Sequence, residues 1–156
     1  MPEGRPTLYL DLDLTLVLAV PDQNWKCLPE AAFAKADFSI EVSGATKDRA
    51  QGSERYTVFL RPGVREFLEA VSESYEMVVF TAATSEYADK IIDALEGPKR
   101  VFSHRLYRNH CRELPGKDGN TILVKDIRCV RDRNMETSVL VDDNPTHITA
   151  NPGRSI

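Results

Sequence analysis

The sequence predicts an α/β fold, a three-layer sandwich around a mostly parallel β-sheet. Three short and almost continuously apolar runs carry this prediction: residues 7–13 (TLYLDLD), 76–83 (EMVVFTAA) and 137–144 (TSVLVDDN). Such runs are typical of parallel strands buried on both faces, not of half-exposed antiparallel strands. Helical patterns lie between them, and alternating strands and helices build a parallel sheet covered by helices.

Two segments between the runs show the apolar period of a helix, residues 64–73 (VREFLEAVSE) and 85–95 (SEYADKIIDAL). Pro62 suits a first helical turn, and Thr84 or Ser85 is the expected N-cap of the second helix. The residues that share the apolar faces are Val64, Phe67, Leu68 and Val71 in the first helix and Tyr87, Ala88, Ile91, Ile92 and Leu95 in the second.

One region departs from the strand and helix rhythm. Residues 38–44 and 55–60 alternate at period two around a polar loop, which predicts a β-hairpin within an insert at about residues 18–60. We expect no large cap domain, and a single domain over residues 1–156. The aromatic residues Trp25, Phe33 and Phe38 either shape an apolar pocket beside the site or pin the hairpin to the core.

The composition narrows the classes of partner. A formal charge of −4 over 156 residues argues against nucleic acid as the main partner. The three cysteines are odd in number and lack a C-x-x-C spacing, as expected for free thiols in a reducing compartment. No apolar run is long enough to span a membrane, and the first residues do not form a signal peptide. We therefore expect an intracellular monomer, nuclear or cytoplasmic, that binds neither membranes nor nucleic acid directly.

Acidic and hydroxyl side chains stand at the ends of the apolar runs. Asp11 and Asp13 end the first run, Thr81 the second, and Asp142 and Asp143 the third. Ligands bind an open α/β sheet at the carboxyl ends of its strands, and residues i and i+2 of a strand point to the same side. Four carboxylates at one edge repel each other unless a cation is present. Oxygen ligands without nearby histidine or cysteine favour Mg²⁺.

A lysine and a threonine complete the set. Lys125 follows a short apolar run at residues 122–124, where it can hold a phosphate oxygen, and Thr15 adds a hydroxyl. Taken singly, each feature has an ordinary explanation: a solvated lysine, a strand-end threonine, an acidic turn. Their order at the ends of separate apolar runs favours phosphoryl transfer, in which an aspartate attacks phosphorus and becomes an aspartyl-phosphate.

The chain resembles the haloacid dehalogenase superfamily, and within it the small RNA polymerase II carboxy-terminal-domain phosphatases, also called NLI-interacting-factor-like phosphatases. The matching motifs cover nearly the whole chain in the family's order: LDLDLTLV (10–17), FLRPGVREFL (59–68), VVFTAATSEYAD (78–89), RLYRNHC (105–111), LVKDI (123–127) and VLVDDNP (139–145). The resemblance implies a Mg²⁺-dependent protein serine/threonine phosphatase that acts on a phosphoprotein or phosphopeptide, such as the polymerase tail. It also implies a carboxyl-terminal end that is shortened relative to the family.

The resemblance also implies roles for individual residues. Asp11 is expected to be the nucleophile, and Asp13 to protonate the leaving oxygen and then activate water. Thr15 is expected to support the nucleophile loop, and Thr81 and Lys125 to hold phosphate oxygens. The expected metal ligands are Asp11, the main-chain carbonyl of Asp13, and the Asp142–Asp143 pair, with Asp143 the more direct ligand.

Some alternatives stay open at this point. A phosphatase-like scaffold with little or no catalysis is the main rival. Against it, the chain retains Asp11, Asp13, Thr81, Lys125 and Asp142. A response-regulator receiver needs its acidic pair early in the chain, and a D-x-D glycosyltransferase needs a larger nucleotide-binding domain. Four basic residues either attract a phosphopeptide or form a solvated face: Arg100, Arg105, Arg108 and Arg112. We expect no role for the histidines His104, His110 and His147.

Overall fold

The computed structural model describes residues 4–27, 35–43, 52–116 and 119–156. In these ranges the strands, in chain order, are β1 (Thr7–Leu10), β2 (Val17–Pro21), β3 (Phe38–Ser43), β4 (Ser53–Leu60), β5 (Glu76–Phe80), β6 (Phe102–Leu106), β7 (Arg112–Pro115), β8 (Thr121–Val124) and β9 (Ser138–Val141). The α-helices are α1 (Val64–Ser72) and α2 (Ser85–Glu96), and short 3₁₀ turns cover Asp22–Cys27, Arg108–His110, Ile127–Cys129 and Met135–Thr137.

The central sheet is parallel, as predicted. Its strands lie in the order β6-β5-β1-β9, so that the first apolar run is flanked by the other two. Leu10 at the end of β1 is in register with Val79 on one side and Val141 on the other. This register brings the residues that follow β1, β5 and β9 to the same edge of the sheet, which we call the carboxyl edge.

The two faces of the central sheet are covered differently. Successive residues of a strand point to opposite faces, and Tyr9 and Leu10 accordingly belong to separate buried clusters. On the Leu10 side, both α-helices and the β3–β4 strands pack against the sheet. On the Tyr9 side, the cover includes Ile127 and Val130, in and beside a 3₁₀ turn. The protein is therefore layered as predicted, although the second outer layer is built here from turns.

The two helices largely follow their predicted apolar faces. Val64 and Leu68 of α1 are buried, whereas Phe67 is 44% exposed, so its predicted core position is wrong. In α2, four of the five predicted residues are fully buried and Tyr87 is half-buried. Thr84 is the N-cap of α2 by position, with no side-chain cap hydrogen bond.

The predicted hairpin forms part of a larger sheet. β3 and β4 pair antiparallel, and β2 pairs with the other edge of β4, giving the order β2-β4-β3. The sequence pattern does not separate β2 from the first apolar run, because the reversal between them falls at Leu14, a non-glycine residue with a φ of 65°. Phe38 packs against the core, whereas the Trp25 side chain and Phe33 lie outside the described residues.

The apolar run before Lys125 belongs to a separate hairpin. β8 pairs antiparallel with β7 and is not a strand of the central sheet. Backbone bonds nevertheless fix Lys125, whose N–H donates to the His147 carbonyl at 2.8 Å. Its own carbonyl accepts from Nδ2 of the buried Asn151 at 2.6 Å.

Among the described residues, no helix has both the length and the apolar character needed to cross a bilayer.

Candidate active site

The loop after β1 starts the site at the carboxyl edge. Asp11 continues the parallel pairing, since its N–H donates to the Val141 carbonyl at 2.9 Å. The chain then turns back, and the N–H groups of Leu16 and Val17 both donate to the Leu12 carbonyl at 2.9 and 3.1 Å. This turn leaves Asp11 buried at the carboxyl edge of the central sheet, with 5% of its surface exposed.

Arg61 holds the outer side of this loop. Its Nε donates to the Thr15 carbonyl at 2.5 Å, and its Nη2 donates to the Leu14 carbonyl at 2.8 Å. A guanidinium presents several donors in a fixed plane, so a single side chain can restrain two consecutive peptide units. Arg61 thereby supports the left-handed conformation of Leu14, which costs free energy in a residue with a side chain.

Lys125 is the only cation within bonding distance of the buried acids Asp11 and Asp142 among the lysines and arginines of the described residues. Its side chain is fully buried, and its Nζ lies 2.5 Å from Asp11 Oδ1 and 2.5 Å from Asp142 Oδ2. Burying an ammonium is costly unless it is paired and hydrogen-bonded. The arrangement therefore ties the ends of β1 and β9 to the segment after β8.

A third carboxylate leaves the site negatively charged. Ligand oxygens of Asp11, Asp142 and Asp143 all lie within 4.8 Å of one another, and Asp143 is exposed. When ionised, these three acids carry three negative charges against the single positive charge of Lys125. This donor set suits a hard divalent cation, since carboxylate oxygens are the ligands that such ions prefer.

Burial is the main influence on the pKa of Asp11. Burial raises the pKa of Asp11 to about 6, and the neighbouring Asp142 adds to this effect. Lys125 opposes the shift through its charge and its hydrogen bond, but does not cancel it.

Asp142 has a well-defined orientation. Its Oδ1 accepts the N–H of Asn144 at 2.9 Å, and Nδ1 of His147 lies 3.3 Å from the same oxygen. Its other oxygen is the one that contacts Lys125. Each oxygen of this fully buried carboxylate therefore has a separate neighbour.

Asp13 lies apart from the three clustered carboxylates. Its side chain is half-buried, and its Oδ1 accepts a hydrogen bond from the Tyr87 hydroxyl at 2.6 Å. Burial raises the pKa of Asp13, and the bond from Tyr87 lowers it in part. Since the side chain of Asp13 is outside the carboxylate cluster, only its main-chain carbonyl remains a predicted metal ligand.

Both predicted threonines lie at the carboxyl edge. Thr15 Oγ1 donates to Asp11 Oδ2 at 3.3 Å. Thr81 is buried directly after β5, and its Oγ1 accepts the N–H of Ala83 at 3.0 Å. A hydroxyl that accepts one hydrogen bond can still donate its own hydrogen, so Thr81 is suited to an anion.

Comparison with known proteins identifies the family of this chain. The model of the family described as "NLI interacting factor-like phosphatase" matches residues 6–156. The chain belongs to this family. The resemblance that the sequence motifs indicated is thereby confirmed.

Two curated relatives illustrate the similarity. "Phosphatase PSR1" of Saccharomyces cerevisiae is 32% identical over 99% of this chain, and "CTD nuclear envelope phosphatase 1B" of Danio rerio is 35% identical over 97% of it. The matched regions make up 31% and 57% of those proteins. The chain thus spans about a third to just over half of the length of these relatives.

A solved structure shows the same fold. The fission yeast RNA polymerase II CTD phosphatase Fcp1-R271A, bound to beryllium fluoride, matches with a TM-score of 0.71 and 23% sequence identity. The match covers 97% of this chain and 40% of that chain. At this level of identity the likeness establishes the fold, and the expected α/β class is confirmed.

Three neighbours of the site are not predicted by the sequence patterns. The helical period places Tyr87 on the apolar face of α2 that packs against the core. Arg61 is marked in the sequence only as the residue before Pro62, and His147 lacks the spacing of a metal ligand. Tyr87 and His147 belong to segments that follow β5 and β9, and position at the carboxyl edge is the available signal for them; Arg61 follows β4 of the other sheet, so this signal does not apply to it. Their contacts depend on segments that are distant in sequence.

The four arginines do not form one surface. Arg105 is paired with acids of α2, at 2.8 Å from Asp89, 2.7 Å from Asp93 and 2.6 Å from Glu96. Arg112 lies 3.2 Å from Asp126. Arg100 lines a cavity at the opposite edge of the central sheet. Arg108 alone is anchored beside the Thr81 loop, where its Nε donates to the Ala82 carbonyl at 2.8 Å.

Proposed function

We propose that this domain is a Mg²⁺-dependent phosphoprotein phosphatase that hydrolyses phosphoserine or phosphothreonine through an aspartyl-phosphate. One observation carries the proposal: Lys125 is buried between Asp11 and Asp142, and the nearby Asp143 leaves an excess of negative charge. A lysine fully desolvated among acids is an arrangement suited to binding both a cation and a phosphate.

In the first step Asp11 attacks phosphorus. Its carboxylate oxygen forms a bond to phosphorus while the bond between phosphorus and the serine or threonine oxygen breaks. The carboxyl group of Asp13 gives its proton to the leaving oxygen, so that an alcohol and not an alkoxide departs. Lys125, Thr15 and Thr81 orient the reacting groups and bind the phosphate oxygens.

In the second step Asp13 works in reverse. Its carboxylate takes a proton from a water molecule as the water oxygen attacks phosphorus, and the bond between Asp11 and phosphorus breaks. Inorganic phosphate is released, and both aspartates return to their starting states. Asp11, Asp142 and Asp143, together with the Asp13 carbonyl, would hold Mg²⁺, which when bound would supply positive charge to offset the negative charge of the phosphate oxygens.

The names of the relatives support a phosphoprotein substrate inside the cell. Several are called C-terminal-domain phosphatases, and the structural neighbour is an RNA polymerase II CTD phosphatase. A phosphopeptide with the sequence of the polymerase tail is therefore the first substrate to test. We place the protein in the nucleus or cytoplasm on the same grounds.

Hydrolysis of p-nitrophenyl phosphate tests the proposed nucleophile. We expect activity that requires Mg²⁺ and falls by at least about a thousandfold in Asp11→Asn, because the amide cannot attack phosphorus. Asp132→Asn is the matched control, since it removes an exposed carboxylate at the opposite edge of the sheet. Equal rates for wild type and Asp11→Asn would refute the assignment, and an inactive wild type would favour the scaffold alternative.

Binding of Mg²⁺ can be tested without catalysis. A ligand at one hundred times its dissociation constant stabilises the folded state by about 2.7 kcal/mol, so saturating Mg²⁺ should raise the melting temperature measurably. Asp143→Asn should reduce this shift while leaving the metal-free melting temperature almost unchanged, because Asp143 is exposed. An equal shift in wild type and Asp143→Asn would remove Asp143 from the proposed ligands.

A further inference from the structure

Tyr87 contacts Asp13, the proposed general acid, for which the roles above name no hydrogen-bond partner. It is the third residue of α2, and its hydroxyl donates to Oδ1 of Asp13 at 2.6 Å. By contrast, Asp11 and Asp142 are both tied to Lys125. Tyr87 is thus the side chain that orients Asp13 among the described residues.

The tyrosine ring is held by Tyr56 and by the hydrophobic core. It packs edge-on against the ring of Tyr56 in β4, with 5.0 Å between the centroids and 70° between the planes. It also packs against the core cluster that includes the buried side of α2. Tyr56 is itself fixed by a hydrogen bond from its hydroxyl to Glu54 Oε2 at 2.6 Å. The position of the Tyr87 hydroxyl is therefore set by packed secondary structure.

This contact distinguishes the two oxygens of Asp13. Because Tyr87 donates its hydrogen to Oδ1, that oxygen acts as an acceptor in both protonation states of the carboxyl group. The proton that passes to the leaving group must then reside on Oδ2. A fixed carboxyl group keeps this oxygen turned toward the reacting atoms, which is the geometric requirement of general acid catalysis.

We propose that Tyr87 is a positioning residue for the general acid: it binds Oδ1 of Asp13 and thereby directs the transferable proton, on Oδ2, to the leaving oxygen of the substrate. This inference rests on the proposed function, and it implies that the rate depends on the leaving group of the substrate. The proton moves from Asp13 Oδ2 to the leaving oxygen as the bond between that oxygen and phosphorus breaks, and Tyr87 keeps its own hydrogen throughout.

The consequence is a dependence on the leaving group. A serine or threonine alkoxide is a poor leaving group and requires protonation, whereas nitrophenolate departs readily without it. Loss of the Tyr87 hydroxyl should therefore impair hydrolysis of a phosphoserine peptide more than that of p-nitrophenyl phosphate. A residue that only stabilises the fold would affect both substrates equally.

The test compares kcat/KM for the two substrates in Tyr87→Phe, which keeps the ring and its packing. The kcat/KM parameter includes the steps up to departure of the leaving group and so reports the acid step. We expect a loss of at least about tenfold with a phosphoserine peptide and of less than about twofold with p-nitrophenyl phosphate. The ratio of the two values does not depend on the folded fraction of the preparation.

Tyr107→Phe is the matched control. The Tyr107 hydroxyl donates to Oδ1 of Asp89 at 2.6 Å, an equivalent tyrosine–carboxylate bond outside the site. We expect this variant to keep the wild-type ratio, and Asp13→Asn to shift the ratio in the same direction as Tyr87→Phe.

A wild-type ratio in Tyr87→Phe, with or without a loss common to both substrates, would overturn the inference while leaving the proposed function in place. A wild-type protein that hydrolyses neither substrate, or Asp13→Asn with an unchanged ratio, would instead overturn the proposed function and this inference with it.

Discussion

The two edges of the central sheet differ in how their acidic side chains are paired with cations and in the direction in which the pKa of those acids is shifted. At the amino edge, Glu76 begins β5 and faces Arg133, with Nη2 donating to Oε1 at 2.7 Å and Nε lying 2.6 Å from Oε2. Thr7 and Ser103 add hydroxyl donors at 3.3 Å each. Burial alone raises the pKa of Glu76, but the bonds and charge of Arg133 outweigh it, and the pKa lies below its usual range.

At the carboxyl edge, the acids outnumber the cations. Asp11 and Asp142 share Lys125, a ligand oxygen of Asp143 lies within 4.8 Å of theirs, and burial raises the pKa of Asp11 to about 6. An acid that is paired with its own cation is typical of a structural ion pair. An excess of carboxylates over cations is typical of a site that binds a positively charged ligand. Cavity size gives no such guidance, because the amino edge has the cavity of about 600 Å³ and the carboxyl edge one of about 510 Å³.

Removing the shared cation should have the largest effect on stability. Lys125→Met leaves two buried carboxylates facing each other, and we expect it to lower the metal-free free energy of unfolding by about 3–5 kcal/mol at neutral pH. Urea denaturation measures this loss. Lys99→Met is the matched control, because Lys99 forms an exposed pair with Glu69 and its removal should leave stability nearly unchanged. Equal stability of the two variants would contradict the burial argument.

The two edges should also respond oppositely to pH. Asp11 has a folded pKa above its unfolded value, so its ionisation opposes folding, and this cost disappears as pH falls from about 6 toward 4. A pKa of about 6 for Asp11 in the folded state corresponds to a cost of roughly 3 kcal/mol at pH 7.5. Without metal, Asp11→Asn should therefore be more stable than wild type at pH 7.5 and nearly equal to it near pH 4.

Glu76 provides the opposite case. Its folded pKa lies below its unfolded value, so its ionised form stabilises the fold at neutral pH, and this contribution is lost as pH falls below the ordinary range of a glutamate. Glu76→Gln should be less stable than wild type at pH 7.5, with a difference that shrinks in acid. Urea unfolding at several pH values compares both variants. The same sign of effect at pH 7.5 would contradict the distinction between the two edges.

The smallest expected effect concerns the loop after β1. Arg61→Gln removes the two donors that hold the Leu14 and Thr15 carbonyls, and we expect a several-fold loss of kcat with about 1 kcal/mol of destabilisation. Arg65, in the following helix α1, is a matched control, since it binds the Ala94 and Leu95 carbonyls at 2.9 Å each, away from the site. Arg65→Gln should lose stability without losing kcat. Equal losses of kcat would remove the special role of the loop.

Local patterns predicted much of the fold for identifiable reasons. The three apolar runs became β1, β5 and β9 because strands buried on both faces need continuous hydrophobic sequence. The hairpin was predicted because one face of each strand is polar. β2 was missed because no glycine or proline marks the turn at Leu14, which the distant Arg61 supports through backbone carbonyls.

The site likewise contains residues that local patterns predicted and residues that only distant segments bring together. Asp11, Thr81 and Asp142 were predicted to meet because each directly follows a strand of one parallel sheet. Lys125 follows a strand of a different hairpin, so no rule of sheet topology placed it between the two aspartates. The helical period assigns Tyr87 to the core because its ring does pack there, and its hydroxyl function depends on the distance to Asp13.

The sequence by itself determined the α/β class, the family, and the polar residues that follow the three buried strands. These depend on short-range periodicity and on the order of motifs along the chain. Only the tertiary structure decided which charges are paired: Lys125 with Asp11 and Asp142, Arg133 with Glu76, and Tyr87 with Asp13. The physical reason is that burial and hydrogen bonding, which set the pKa and orientation of each acid, are created by segments far apart in the chain.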